Sequence, residues 1–275
     1  MNRAQSLPRA LGVALIAGFI ALGSATAQPA PTFEPSVGQQ GKDVIWVPTG
    51  QPLVDRMLDM ANVTPSDQVV DLGSGDGRTV IAAAKRGAKA LGIEYDQAMV
   101  DLSIRTAAQE GVGDLARFIK ADLFETDFSH ATVLTMFLLP DINLRLRPKI
   151  LDMKPGTRVV SNTFTMGDWT ADNTVQSTSD CKSYCQAFFW VVPAKVEGKW
   201  QSASGELALE QKYQKVSGSI GSGSTATPIA DGTLKGDELT FTAGGATFSG
   251  KVDGNAIVGT RKSGESTTEW RATRG

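Results

Sequence analysis

A short apolar run followed by three closely spaced glycines constrains this chain more than any other feature. Residues 68–72 have the sequence Gln-Val-Val-Asp-Leu, which predicts a buried strand, and glycines follow at positions 73, 75 and 77. A dinucleotide-binding fingerprint would have its third glycine at position 78, which is Arg78, and a P-loop would continue with Gly-Lys-Ser/Thr. The pattern therefore predicts a strand, a tight turn and a helix whose backbone approaches a different kind of ligand.

Between residue 44 and about residue 196 the chain alternates between predicted strands and helices. Strands separated by helices form a parallel, doubly wound α/β sheet, which binds ligands at the carboxyl ends of its strands. Hydrophobic periodicity and glycine stops predict helices at residues 52–62, 78–86, 97–110 and 142–153 and strands at residues 68–72, 90–95, 116–120, 131–138, 157–164 and 186–192.

Acidic residues at the ends of the first three predicted strands point to one ligand. Asp71 lies beside the glycine loop, where it can hold a cation or an ammonium group. Glu94 ends the second strand, 23 residues later, where a carboxylate can accept hydrogen bonds from a ribose diol. Asp122 follows the third strand and can accept from an exocyclic adenine amine, with Leu123 as an apolar wall. These groups describe an adenosine that carries an amino acid, which is S-adenosylmethionine.

Residues ahead of the first helix are expected to complete this cofactor site. Trp46 and Thr49 are predicted to close over the cofactor as an N-terminal lid. The alternatives are core packing for Trp46 and a helix N-cap for Thr49. The predicted cofactor site comprises Thr49, Asp71, Gly73, Ser74, Gly75, Asp76, Gly77, Glu94, Asp122 and Leu123.

Four segments of the chain resemble one protein family. They are residues 45–49, the glycine loop, residues 143–149 and residues 166–169, and the resemblance covers about residues 44–170. The family is the bacterial methyltransferase-domain family related to the mitochondrial-type protein-lysine N-methyltransferases, within the class I methyltransferases. The resemblance implies a Rossmann-like, seven-stranded methyltransferase fold, with lysine as the methyl acceptor.

The methyl acceptor is expected beyond the fourth and fifth strands. Many amino-methyltransferases have an Asn/Asp-Pro-Pro-aromatic segment after the fourth strand, whereas residues 137–141 are Phe-Leu-Leu-Pro-Asp. Because the polar first residue is missing, methylation of a nucleic-acid base amine is disfavoured. Asp141 remains available to orient an amine, and Asp168 and Trp169 are the other predicted catalytic-site residues. The alternative is that Asp168 caps a helix or a turn and Trp169 packs in the core.

The N-terminus has the order of a secretory signal peptide. Two arginines without an acid precede the apolar run of residues 10–22, and Ala25-Thr26-Ala27 is a small-x-small cleavage site. The run of about 13 residues is short for a bilayer span. Cleavage would leave an exported protein, periplasmic or secreted, that begins at Gln28. The alternative is an uncleaved anchor, and membrane association is expected only in that case.

The cysteines and the histidine limit the chemistry. Cys181 and Cys185 would have Cα atoms about 13 Å apart in an extended strand, beyond disulfide reach, but a tight turn would bring them together. In an exported protein a local disulfide is favoured, and two free thiols are the alternative. His130 is the only histidine in the sequence, so no histidine-rich metal site is expected.

The sequence changes character near residue 197. Short alternating stretches are separated by turn pairs such as Asp231-Gly232 and Asp253-Gly254, which predicts an antiparallel barrel or sandwich of about six to eight strands. This segment has no catalytic constellation, so a structural or docking role is expected. The predicted organisation is a signal peptide at 1–27, a flexible lead-in at 28–43, a methyltransferase domain at 44–196 and a β-rich domain at 197–275.

Two functions are compatible with the sequence. The first is an S-adenosylmethionine-dependent methyltransferase whose acceptor is a protein lysine. The net charge of −2 disfavours a nucleic-acid partner held by bulk charge. The alternative is a non-catalytic exported binding module, in which the methyltransferase fold is retained and the β-rich domain docks a partner or an envelope component. The alternative arises because the cofactor is made in the cytoplasm.

Overall fold

Two β-sheets organise the part of the chain that the structure, a computed structural model, describes. The described residues are 1–2, 33–177, 181–223 and 226–274. Contacts divide the chain after Thr32, and the unit Phe33–Gly275 contains both sheets. Almost all of the predicted signal peptide lies outside the described residues, so the signal peptide stays a prediction. Among the described residues, no helix has the length and apolar character that a membrane span needs.

The first sheet is built from seven strands and accompanied by four helices. The helices are α1 (Gln51–Met60), α2 (Arg78–Lys85), α3 (Gln97–Gln109) and α4 (Pro140–Leu151), and the strands are β1 (Gln68–Leu72), β2 (Lys89–Glu94), β3 (Ala116–Lys120), β4 (Val133–Met136), β5 (Arg158–Asn162), β6 (Asn173–Gln176) and β7 (Gln186–Val191). The strand order is β3-β2-β1-β4-β5-β7-β6. The predicted Rossmann-like fold is therefore confirmed.

The last two strands of this sheet depart from the predicted parallel arrangement. β7 runs antiparallel to β5, and β6 runs antiparallel to β7. β6 was not predicted, because Asn173–Gln176 has only one apolar residue and is mostly exposed. No helix is assigned between β5 and β7 in the described residues, and without a crossover helix the chain returns along the sheet edge in the opposite direction.

Helices cover both faces of the sheet. Buried residues of α1, α2 and α3 form one core with side chains of the strands, and the buried residues of α4 form a second core on the other face. The glycine loop between β1 and α2 is at the carboxyl end of β1, next to the ends of β2 and β4. This edge of the sheet is where parallel α/β folds bind their ligands.

The second sheet closes on itself. Its strands are β8 (Gly198–Ser202), β9 (Gly205–Lys212), β10 (Lys215–Gly221), β11 (Thr227–Pro228), β12 (Ala230–Lys235), β13 (Glu238–Ala243), β14 (Ala246–Asp253), β15 (Ala256–Ser263) and β16 (Ser266–Thr273). All pairings are antiparallel, and the pairing of β9 with both β8 and β10 completes a barrel of eight strands, with the short β11 added to β10. The prediction of an antiparallel barrel or sandwich is confirmed in its barrel form, and closure removes exposed sheet edges.

One predicted turn of this barrel is a bulge instead. Asp231 has a positive φ of 53° and lies within β12, where the register with β13 shifts between Ala230 and Thr233. The Asp253-Gly254 pair is at the turn between β14 and β15, as predicted. An Asp-Gly pair occurs in bulges as well as in turns, because both need a residue that tolerates a positive φ.

Candidate functional site

A cavity of about 420 Å³ opens at the carboxyl edge of the first sheet. It is lined by the glycine loop, by the ends of β2, β3 and β4, and by the chain segment that precedes α1. Its size falls within the range of small-molecule sites. The cavity therefore lies where the strand-end acids predict a ligand, and every residue of the predicted cofactor site except Gly77 lines it.

The glycine loop is fixed to the end of β2. The amides of Gly73 and Ser74 both donate to the Ile93 carbonyl, at 2.9 and 3.1 Å. Gly75 has a positive φ of 54°, and a Cβ there would lie 2.6 Å from the Trp46 indole nitrogen. Gly77 has a φ of 80°, and its added Cβ would lie 2.7 Å from the Phe118 ring. The glycines are thus required by conformation and by close packing rather than by flexibility.

Glu94 joins the loop to the start of α3. Its Oε2 accepts from the Gly75 amide at 2.9 Å, and its Oε1 accepts from the amides of Tyr95 and Asp96 at 2.8 and 3.0 Å. A carboxylate has about four acceptor sites, so one remains for a ligand hydroxyl after these three bonds. Since Glu94 also lines the cavity, its position suits one hydroxyl of a ribose.

Asp71 is buried at the base of the cavity, beside Thr135 on the neighbouring strand. The Thr135 hydroxyl donates to its Oδ1 at 2.6 Å. Burial raises the pKa of Asp71 to about 7, with smaller contributions from the negative charges of Glu94 and Asp76, while the hydrogen bonds from Thr135 and Thr79 act to lower it. A carboxyl group in this state gains a negative charge easily when a cationic ligand enters.

We expect Asp71→Asn to stabilise the ligand-free protein at pH 8. The folded pKa of Asp71 lies above its ordinary value of 3.8, so the folded chain binds more protons than the unfolded chain between about pH 4 and pH 7. Its contribution to stability is therefore full below about pH 4 and is lost as the pH rises through about 7. Asparagine avoids the buried charge, so the free energy of unfolding should rise by on the order of 2 kcal/mol at pH 8.

Urea unfolding of both proteins at pH 4.5 and pH 8 measures this difference. The gain should shrink towards zero at pH 4.5, where Asp71 of the wild type is neutral. A gain that is equal at both pH values would show that the charge is not its cause. The same substitution should weaken the binding of S-adenosylmethionine at pH 8, because the cation loses its partner.

Asp122 is engaged by the segment that precedes α1. Its carboxylate accepts from the Phe124 amide at 2.9 Å and from the Lys42 ammonium, and both bonds hold its pKa below the usual range. Lys42 also lies over the Tyr95 ring, with its ammonium 4.8 Å from the centroid. An adenine amine at this acid would share it with Lys42 or displace that ammonium.

The first residues of this segment, 39–43, belong to the predicted flexible lead-in at 28–43, and their contacts correct that prediction for this part of it. Gly38 donates its amide to the Trp46 carbonyl, and Trp46 donates to the Gln39 carbonyl, each at 2.9 Å. Residues 39–49 line the cavity, which fits the predicted N-terminal lid. The composition of the segment, rich in Pro, Gln and Gly, is typical of a linker, and the Lys42 contact that anchors it crosses 80 positions.

Thr49 connects the lid to strand β5 and helix α2. Its hydroxyl accepts from the Asn162 side-chain amide at 3.0 Å, and its carbonyl accepts from Arg78 at 2.8 Å. The alternative role as a helix cap is wrong, because the N-cap of α1 is Gly50. Asp76 forms an ion pair with Arg78 at 2.5 Å, so the predicted cofactor residue Asp76 helps to hold Thr49 in place.

The far end of the cavity is apolar and aromatic. Phe137, Leu138 and Leu139 after β4, Phe164 after β5 and Tyr184 before β7 all line it. Asp141 is exposed in the first turn of α4 and does not line the cavity, although Leu139 and Ile142 do. The structure therefore places Asp141 near the rim, outside hydrogen-bonding contact with any group that it describes as lining the cavity.

Asp168 and Trp169 lie away from the cavity, at the contact between the two sheets. Asp168 accepts from the Tyr213 hydroxyl at 2.8 Å and pairs with Arg147 and Lys212 at 2.7 and 3.2 Å, contacts that lower its pKa to about 2. Trp169 is buried and stacks on Tyr213 with ring centroids 5.9 Å apart. The prediction of an acceptor-site role gains no support, and the packing alternative describes Trp169 correctly.

Asp168→Asn should therefore leave the affinity for S-adenosylhomocysteine within about twofold of wild type, since distant surface changes rarely perturb a site. The expected effect is on acid stability: the lowered pKa of Asp168 stabilises the fold above about pH 4, and that contribution is lost as the pH falls through about 2. Calorimetric titration at pH 7.5 and unfolding between pH 2 and 5 measure the two effects. A tenfold loss of affinity for S-adenosylhomocysteine would show that Asp168 does contribute to the site.

Several residues of the site could not be found from sequence. Lys42, Tyr95, Phe164 and Tyr184 line the cavity but carry no motif. Gly92 had a usable signal, a glycine inside a predicted strand. A Cβ at Gly92 would lie 2.5 Å from the Ser74 hydroxyl oxygen, so this glycine allows the loop to approach β2.

The residues present fit an adenosyl amino-acid cofactor. The buried Ser74 hydroxyl lines the cavity and has no hydrogen-bond partner among the described groups. Glu94 retains an acceptor position, and Leu123 supplies apolar surface. Asp71, whose pKa is raised to about 7, can become fully ionised when a cation binds beside it. The described residues contain no cluster of His, Cys, Asp and Glu suited to a metal ion.

Comparisons with known proteins agree with this geometry. Residues 71–173 match the family described as the ANTKMT methyltransferase domain. A protein-lysine N-methyltransferase from Saccharolobus islandicus is 44% identical over 129 residues, which are 46% of this chain and 80% of that protein. The chain belongs to the class I methyltransferases, in the family of the protein-lysine N-methyltransferases.

Two further relatives show how far this methyltransferase assignment extends. A human lysine N-methyltransferase of ATP synthase is 39% identical over 106 residues, 38% of this chain and 46% of that protein, so the chain spans about half of its length. A solved structure described as an RNA methyltransferase from Salinibacter ruber, in complex with S-adenosyl-L-homocysteine, is 45% identical and has a TM-score of 0.51. It covers 55% of this chain and 96% of that chain. The methyltransferase uses S-adenosylmethionine, and the barrel lies beyond the residues that the family match covers.

Proposed function

We propose that this methyltransferase transfers a methyl group from S-adenosylmethionine to the side-chain amine of a protein lysine. The observation that carries the proposal is a single cavity that joins the glycine loop and Glu94 at one end to an apolar, aromatic wall at the other. An apolar wall suits the four-carbon stem of a lysine, which packs along hydrophobic surface. The names of the archaeal and human relatives support a lysine acceptor.

The charge of the cavity supports a basic acceptor over RNA. Its lining includes two basic residues, Lys42 and Arg78, and both are paired with acids. The acidic residues of the lining are Asp43, Asp71, Asp76, Glu94, Asp96 and Asp122. A surface of this sign attracts cations and repels a phosphate backbone. Because the Salinibacter relative is described as an RNA methyltransferase, RNA is the second acceptor to test.

The chain's own residues would act mainly by binding and alignment. Glu94 would hold the ribose, Asp122 the adenine amine and Asp71 the positive charge of the amino-acid part. When bound, S-adenosylmethionine would supply an electrophilic methyl carbon whose bond to sulfur breaks with the electron pair left on sulfur. The acceptor lysine would first lose a proton to water, because only the neutral amine has the lone pair that forms the new bond. The aromatic wall would exclude water and hold the amine in line, which is the principal source of acceleration in such a transfer.

Methyl transfer from S-adenosylmethionine with a labelled methyl group tests the proposal and separates the two acceptors. The purified protein is incubated with cell-envelope extract, and the labelled material is divided by protease and ribonuclease treatment before hydrolysis to amino acids. We expect protease-sensitive label that co-migrates with methylated lysine, and no label with Glu94→Ala. Label in the ribonuclease-sensitive fraction, or no transfer by a protein that binds the cofactor, would overturn a lysine acceptor.

We also propose that the protein is exported and acts outside the cytoplasm, with the barrel as a docking module. The order of residues 1–27 supports export, as does the bond between Cys181 and Cys185, since such bonds persist in oxidising compartments. N-terminal sequencing of the protein from the periplasmic or culture fraction should begin at Gln28. Recovery of only the uncleaved chain from the cytoplasm would contradict export.

A further inference from the structure

Three aromatic rings face one another at the acceptor end of the cavity. The Phe137 and Phe164 centroids are 6.1 Å apart and nearly stacked, and the Tyr184 ring lies 5.2 Å from Phe137 in an edge arrangement and 6.4 Å from Phe164. All three rings line the same cavity as the glycine loop. They come from three separate segments, after β4, after β5 and before β7, so the tertiary fold brings them together.

The acids of the cavity are not on these segments. Every acidic residue of the lining belongs to the lid, to the glycine loop or to the ends of β1, β2 and β3. A cation held by these three rings would therefore contact segments of the lining that carry no lining carboxylate. Ring faces attract cations through their quadrupole, and an ammonium group that carries alkyl substituents suits them because it is weakly hydrated.

The third ring, that of Tyr184, lies in a loop closed by a disulfide. Cys181 and Cys185 are bonded, with their Cα atoms 5.7 Å apart, which confirms the predicted local disulfide. Tyr184 lies inside this closed loop with a positive φ of 57°, and 43% of its surface is exposed. A bulky residue adopts such a φ only when its surroundings enforce it, and here the cross-link closes the loop around it. The loop also lies beyond residues 71–173, which match the family.

We propose that Phe137, Phe164 and Tyr184 form an aromatic site for the alkylated ammonium group that methylation leaves on the acceptor, and that the disulfide loop positions Tyr184 to complete it. This inference rests on the proposed function, because it assigns the acceptor end of that cavity. Tyr184 thereby determines the preference for a cation over a neutral group of the same shape. Reduction of the disulfide releases Tyr184 and lowers that preference while the cofactor end is unchanged.

A matched pair of probes measures the preference directly. The cationic probe is Nα-acetyl-Nε-trimethyl-lysine amide, and the neutral probe has a carbon atom in place of the quaternary nitrogen. Both are titrated by NMR into the intact protein, with and without saturating S-adenosylhomocysteine. The wild type should bind the cation about fivefold more tightly than its neutral counterpart. Tyr184→Phe keeps the ring and should keep the ratio, whereas Tyr184→Ala should reduce it to below twofold.

Two controls separate the ring from the loop. Ser183→Ala changes the neighbouring residue of the same loop and should leave the ratio unchanged. Treatment with dithiothreitol should lower the ratio as Tyr184→Ala does, without changing the affinity for S-adenosylhomocysteine. Equal binding of the two probes by the wild type, or an unchanged ratio in both Tyr184→Ala and the reduced protein, would overturn the aromatic site. Failure to bind S-adenosylhomocysteine would instead refute the proposed function. The two outcomes are distinguishable because the ratio of probe affinities is also measured in the absence of S-adenosylhomocysteine.

Discussion

Glu94→Ala should weaken the binding of S-adenosylhomocysteine by about a hundredfold, the loss expected when charge-assisted hydrogen bonds are removed. The substitution would remove the hydrogen bond to the ribose. It would also leave the amides of Gly75, Tyr95 and Asp96 without their acceptor, so the glycine loop would no longer be hydrogen-bonded through this side chain to the start of α3. Calorimetric titration of the folded variant measures the loss.

Two variants make this result specific. Glu94→Gln keeps the volume but turns an amide N–H towards the Gly75 amide, so we expect a loss of similar size. Asp101→Ala removes an exposed carboxylate on α3 that accepts from Gln97 and is absent from the cavity lining, and it should bind like the wild type. A folded Glu94→Ala protein with affinity within threefold of wild type would show that Glu94 does not hold the cofactor.

Trp169→Ala should lower the free energy of unfolding by about 3–5 kcal/mol, the usual cost of emptying a buried aromatic site. Trp169 is 1% exposed, its centroid is 5.9 Å from those of both Trp190 and Tyr213, and its carbonyl accepts from the Trp190 indole at 2.9 Å. Because Tyr213 lies in the turn between β9 and β10, the substitution removes packing between the methyltransferase sheet and the barrel.

Trp169→Phe is the matched control for this prediction. The Trp169 indole N–H is buried without a partner among the described groups, so phenylalanine removes an unsatisfied donor while it keeps most of the apolar volume. We expect it to cost less than about 1.5 kcal/mol. Urea unfolding followed by tryptophan fluorescence compares the two variants. Equal losses for Ala and Phe would contradict this explanation, because they would show that the apolar ring volume is not what stabilises the junction.

Local patterns were sufficient for the centre of the site. The apolar run of β1, the glycines after it and the acids that end β2 and follow β3 are each fixed by a few neighbouring residues. A parallel sheet brings such strand ends to one edge, so Asp71, Glu94 and Asp122 could be grouped without coordinates. The same reasoning predicted the hairpins of the barrel, because its turns have their own glycine signals.

Contacts between distant residues could not be predicted in this way. The ion pair of Lys42 with Asp122 joins residues 80 positions apart, and the stacking of Trp169 on Tyr213 depends on how the barrel docks. The direction of β7 depends on the connection from β5, in which no helix is assigned among the described residues, rather than on its own sequence. Asp168 was selected because it follows a strand, as Asp122 does, yet its carboxylate faces the barrel residues Tyr213 and Lys212.

A crystal structure of the complex with S-adenosylhomocysteine tests the central claim most directly. We expect density for the cofactor in the cavity between the glycine loop and Asp122, with a ribose hydroxyl within hydrogen-bonding distance of Glu94 and the sulfur directed towards Phe137 and Tyr184. Well-ordered density at another place in the protein, or an empty cavity at saturating concentrations of the ligand, would contradict it.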